Sequence, residues 1–90
     1  MFSSNKDLFD FIRSLVEKLD SIGEKQWSIE FREAMNISFM PGEVFGAILT
    51  TLNRFIKTEI PQKLNIETEL HGAVASLNKA LGINDTTPSL

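Results

Sequence analysis

His71 is the only histidine among the 90 residues, so any imidazole chemistry has one place to occur. Glu67 stands one helical turn before it, and the two could share a cation. A di-iron helical bundle spaces its Glu and His three apart, twice, and draws further Glu from other helices. Thr68 occupies the position that such a Glu would need. His71 is therefore expected on a polar, solvent-facing helix side, with no metal and no other cofactor.

Nucleophiles and paired acids lead to the same expectation. The chain has no cysteine, which excludes a thiol nucleophile, a disulfide framework and a zinc knuckle together. Its serines fall in caps (Ser3, Ser4, Ser38), on helix surfaces (Ser14, Ser21, Ser28, Ser76) or near the end (Ser89), and none sits in a strand-to-helix elbow. Asp7 and Asp10, and Glu67 and Glu69, lie on polar faces, where nothing displaces a carboxyl pKa toward acid–base work. Gly42 and Gly46 precede no Lys-Ser/Thr and follow no strand, so they form no phosphate loop. No catalytic residue is assigned, and the chain is expected not to be an enzyme.

Charge narrows the partners. Nine basic against twelve acidic residues leave a formal charge of −3, the wrong sign for a surface built to hold phosphate backbones. The densest basic group, Arg54, Lys57 and Lys63, has Glu59 in its midst. No nucleic-acid partner is expected, and a small regulatory DNA-binding protein is the weakest of the readings considered. Apolar runs of only a few residues leave nothing to span a bilayer. Met1–Asp7 lacks the basic flank and apolar centre of a secretory leader. The expectation is a cytoplasmic domain that does not engage a membrane.

The elements that would carry these residues are all helical, with no alternating strand pattern and no repeat. Leu8, Ile12, Leu15, Leu19 and Ile22 recur at steps of four and three, predicting a helix over 5–22 that Ser4 caps and Gly23 stops. Trp27, Phe31, Ala34 and Met35 share a face of a second helix over 24–35, with Ile29 opposite. The tight turn predicts a helical hairpin, with Trp27 and Phe31 against the C-terminal half of the first stripe. Pro41 suits a first helical turn. After it Phe45, Ile48, Leu49, Leu52, Phe55 and Ile56 predict a third helix over 41–59, with Gly46 and Ala47 leaving room for another backbone.

Pro61 ends or kinks that helix. Ile66, Leu70, Ala73, Val74, Leu77 and Leu81 predict a fourth over 61–81, which starts at Pro61 or only after Asn65. Gly82 and Ile83 resemble a helix stop. The predicted fold is all-α: a small antiparallel four-helix bundle in one domain over 1–83, with a loose tail over 84–90.

More apolar side chains are present than four short helices cover. Phe11 lies at the margin of the first stripe, Ile29 lies opposite Trp27, and Ile37, Phe39 and Met40 fill the longest joint. Either that joint folds back as a lid on the core, or it stands as a recognition surface rimmed by Glu30, Glu33 and Glu43. An acidic rim favours a basic partner and speeds its capture. Phe39, Met40, Glu43, Glu30 and Glu33 are the candidate partner-binding residues.

The order Leu8, Leu15-Val16, Leu19, Gly23-Glu24, Trp27, Phe31, Ala34, then Gly42-Glu43-Val44-Phe45-Gly46-Ala47-Ile48, resembles small helical bacterial proteins. Among these are immunity proteins of contact-dependent and other polymorphic toxin systems. The resemblance spans roughly Leu8 to Ile60 and brings no catalytic motif. It implies a cytoplasmic antidote that binds and neutralises a cognate toxin domain, often a basic nuclease. The alternative is a structural homodimer that uses the same apolar surplus for self-association.

Overall fold

A computed structural model describes residues 5–82. It is all-α, with five helices among these residues: α1 (Asn5–Ser21), α2 (Lys25–Met35), α3 (Pro41–Phe55), α4 (Ile60–Leu64) and α5 (Glu67–Ala80). The anticipated Ser4 cap, the Ile83 that would follow Gly82 and the 84–90 tail lie outside the described residues. Among the described residues no helix is long and apolar enough to cross a membrane.

The first boundary follows from glycine. Gly23 takes φ 82°, a left-handed conformation that costs a residue with a Cβ more than it costs glycine. Gly23 N–H donates to Asp20 O at 3.2 Å and Glu24 N–H to Leu19 O at 2.9 Å, so two of the last carbonyls of α1 find donors. The helix therefore ends at Ser21, one residue short of the expected 22. Ile22, predicted to close the apolar stripe, is left 46 % exposed. Leu8, Ile12, Leu15, Val16 and Leu19 are buried.

The third and fourth helices differ from expectation, giving five helices where four were predicted. Helix 41–59 stops at Phe55 because Pro61 has no N–H to offer Lys57 O, and because a side chain offers the backbone another path. The Thr58 hydroxyl donates to Phe55 O at 2.7 Å and accepts from Ile60 N–H at 3.3 Å. One side chain thus bonds the last carbonyl of α3 and the first amide of α4.

The expected helix 61–81 is also broken, at Asn65, which adopts φ 57°, ψ 45°. Asn65 N–H donates to Gln62 O at 3.2 Å and Ile66 N–H to Pro61 O at 3.1 Å, repeating the stop seen at Gly23. Asn is the non-glycine residue best suited to this conformation. The apolar residue that follows it, Ile66, is buried, as is Pro61. Of the two starts the sequence allowed for the last helix, the one after Asn65 is realised, and a separate short helix begins at Ile60.

α3 is the central element. It packs against α2 and α5, and α1 packs against α2 while α4 packs against α5. Val44, Phe45, Ile48, Leu49, Leu52 and Phe55 of α3 join one continuous core with α1, α2 and α5. Trp27 and Phe31 find their ring partner on α3 as well as lying on the α1–α2 hairpin. The Phe31 and Phe55 rings meet edge-on at 5.4 Å and 86°, and Trp27 meets Phe55 at 5.2 Å and 63°. Phe9 and Phe45 bring α1 to α3 with centroids 5.6 Å apart. The room expected at Gly46 is present, but no backbone fills it: a Cβ built there meets nothing within 4 Å.

Two substitutions test these local arguments by chemical denaturation. Asn65→Val forces a β-branched residue into the left-handed region and should cost about 1–2 kcal/mol, whereas Asn65→Gly should match or exceed the parent. Gly46→Ala should stabilise α3 by roughly 0.5–1 kcal/mol, because alanine gains helix propensity there without a clash.

Candidate binding surface

The joint between α2 and α3 begins where Asn36 closes α2. Asn36 N–H donates to Glu33 O at 3.1 Å, and its side-chain amide donates to Arg32 O at 2.8 Å. It ends at Pro41, the first residue of α3, which holds Met40 extended (φ −91°, ψ 119°). Met40 N–H is bonded by Ser38 Oγ at 3.0 Å. Between these fixed ends the chain has no room to fold back, and the lid arrangement is not adopted. Phe39 is fully exposed, at 105 %, while Ile37 and Met40 are each 63 % exposed.

Shallow grooves lie on the two sides of this joint. One, of about 640 Å³, runs between α1, α2 and the start of α3 and has Phe39 at its border. Phe9, Val16, Met35 and Val44 supply its apolar lining, with Arg13 and Arg32 among the charged residues. The other, of about 390 Å³, lies between α2 and α3 and is lined by Glu30, Glu33 and Ile37 together with Ala34, Ala47, Thr50 and Thr51. The five anticipated residues therefore do not share a groove. Glu30 and Glu33 border the smaller one and Phe39 the larger, whereas Met40 and Glu43 line neither.

Glu30 departs furthest from the expected free acidic rim. Its carboxylate accepts from Arg54 of α3 and from Gln26, the latter at 3.3 Å. These two donors, Arg54 first, hold its pKa below the usual carboxylate range. Arg54 also lies over the Trp27 ring, 5.4 Å from its centroid. Glu30 thus clamps α2 to α3 above the aromatic junction. Glu33 and Glu43, both exposed, are the acids beside the joint with no such clamp.

A second clasp ties α1 to α2. Arg32 reaches Asp20 through Nη2 and Ser28 Oγ through Nη1, the latter at 2.9 Å. Ser28 is fully buried, and its hydroxyl oxygen accepts from Arg32. The Ser28 hydroxyl, and then Arg32, hold the Asp20 carboxyl below its ordinary pKa. Asp20 Oδ1 is buried and makes no hydrogen bond that meets ordinary geometry. This clasp was not evident from the sequence, where Ser28 reads as a surface serine. The available signal was the i, i+4 spacing of Ser28 and Arg32.

Glu67 and His71 are exposed on α5, away from the joint in sequence and on another helix. Among the described residues no three metal-ligating side chains stand together. Arg54, the first of the three basic residues considered for nucleic acid, is engaged with Glu30 and Trp27.

No protein-family model, curated protein or solved structure matches the chain. The geometry alone defines the class: an all-α domain whose most distinctive surface is an apolar interhelical joint between two open grooves.

The lowered carboxyls of Asp20 and Glu30 give the fold a signed pH dependence. The unfolded chain takes up protons on these groups at a higher pH, near about 4, than the folded one does. Their stabilisation is complete above that value and is lost as pH falls through the folded values. Denaturation midpoints should therefore decline below about pH 4, and the Asp20→Asn, Glu30→Gln double variant should show a shallower decline.

Proposed function

We propose that this protein is a protein-interaction module of the immunity kind, which docks a basic toxin domain on the α2–α3 joint and blocks it by occupancy. One observation carries the reading: Ile37, Phe39 and Met40 stand consecutively or nearly so in solvent, beside the exposed carboxylates of Glu33 and Glu43. Large exposed apolar residues grouped together mark interaction sites more often than chance placement. Aromatic and methionine side chains are enriched at the cores of protein interfaces. Acids at the edge add capture rate for a partner of opposite sign. The net charge of −3 acts in the same direction over longer range. In this reading Phe39 and Met40 are the anchors, Glu33 and Glu43 the steering charges, and Glu30 supports the surface from within by holding α2 to α3. The work is binding, in the cytoplasm, with no bond made or broken.

The test is tagged capture from the native cells, run in parallel with a Met40→Lys, Glu43→Lys variant. The parent should retain a basic, nuclease-like protein and the variant should lose it, with unchanged helical circular dichroism. Equal retention by both would remove the joint from the reading. Raising salt from 50 to 500 mM should slow association more than it speeds dissociation, as expected for steering by exposed charge.

A further inference from the structure

Ile29 is an exposed apolar residue that the docking surface leaves unused. It is 48 % exposed on α2, one turn before Glu33 and two turns before Ile37, so the three share one outer face of that helix. The groove of about 390 Å³ runs beside this face. Its α2 wall includes Glu30, Glu33 and Ile37, and its α3 wall is small: Ala47, Thr50 and Thr51. Gly46 lies one turn before Thr50 on the same face, and a Cβ built there meets nothing within 4 Å. Short side chains let a neighbouring helix axis come close. We propose that this groove takes an amphipathic helix of the partner, laid along α2 and α3 with a basic side chain against Glu33. The inference rests on the reading of the joint as a dock for a basic protein, and it names the element that such a protein inserts.

Hydrogen-bond chemistry, charge and spacing select that occupant. The Thr50 hydroxyl donates to Gly46 O and the Thr51 hydroxyl to Ala47 O, each at 2.9 Å. Both protons are committed, and the other polar side chains of the lining are carboxylates. The lining side chains therefore present acceptors and no free donor. An extended segment would bring carbonyls that find no donor here, whereas a helix pairs its own backbone. No cation lines the groove. Glu30 is already held by Arg54, so the exposed Glu33 is the carboxylate left to pair with an incoming lysine or arginine. An acidic helix would meet like charge at the same place. Ile29 and Ile37 lie eight residues apart on α2, a rise of about 12 Å. Apolar residues that recur every three or four positions on a facing helix cover the same length in two turns.

An amide NMR titration of the full chain tests this with a synthetic amphipathic peptide of leucine and lysine, about 14 residues or four turns long, and with its leucine–glutamate counterpart. The lysine peptide should shift the amides of Glu33, Ile37, Ala47 and Thr50, and the glutamate peptide should not bind. Glu33→Lys reverses the charge and Thr50→Trp fills the groove. Each changes an exposed side chain, and each should weaken the lysine peptide about ten-fold or more. The same spectra show that each variant keeps the parent's fold. Shifts confined to the larger groove or to α5, no binding by the lysine peptide, or equal binding by both peptides overturns the proposal. So does a lysine peptide indifferent to either substitution. Tagged capture separates this failure from failure of the docking reading, because Thr50→Trp leaves Phe39, Met40 and Glu43 in place. A basic protein retained in full by that variant removes the helix from the groove and leaves the joint as the dock.

Discussion

Phe55, at the last turn of α3, receives the Phe31 ring edge-on and the Trp27 indole beside it, and its side chain is fully buried. This aromatic junction fixes how α2 lies on α3, and the rest of the arrangement depends on it. α1 is carried by α2, and α5 packs on α3. The polar contacts around the junction serve the same end. Arg54 covers the outer face of Trp27 and reaches Glu30, so the ring pair is enclosed by an ion pair that spans the same two helices. Aromatic edge-to-face pairs add about 0.5–1.5 kcal/mol beyond the area they bury, and an exposed ion pair adds less. The rings therefore set the geometry, and the charges limit its freedom.

The orientation of α2 also determines what the α2–α3 joint can present. With one end tied down by Asn36 and the other by Pro41, four residues must cross from helix to helix over the surface. They have too little length to bury three large side chains. Exposure of Ile37, Phe39 and Met40 follows from the two fixed ends and the short span between them. It does not require a special conformation of the joint itself.

Much of the helical content was legible in the sequence because apolar side chains recur at helical spacing wherever a face is buried. The stripes of α1 as far as Leu19 and of α3 as far as Phe55 read correctly for this reason, and Gly23 announced its own stop. The breaks at residues 56–59 and at Asn65 were less legible. They depend on one hydroxyl competing with the backbone and on one asparagine accepting a left-handed conformation, and neither leaves a periodic trace. Pro61 pointed to the region without saying whether one helix or two would result. The candidate surface was legible as a surplus of apolar residues but not as a shape. Pairing across helices, such as Glu30 with Arg54 or Asp20 with Arg32, joins positions twelve or more apart, and spacing arguments extend over a turn or two at most.

The order of packing has a kinetic meaning. α1 rests on α2, α2 on α3, and α4 on α5, so most neighbours in space are neighbours along the chain. Turns of three and two residues join the α1–α2 hairpin and the α4–α5 pair, and their stops are written into Gly23 and Asn65. Loops this short lose little entropy on closing, and topologies rich in local pairings cross their folding barrier quickly. The packing that skips an element along the chain is that of α5 on α3, across the short α4 segment. Until it occurs, the α3 face that α5 will cover is open to water, and the Thr58 hydroxyl lies at the pivot about which the two halves close.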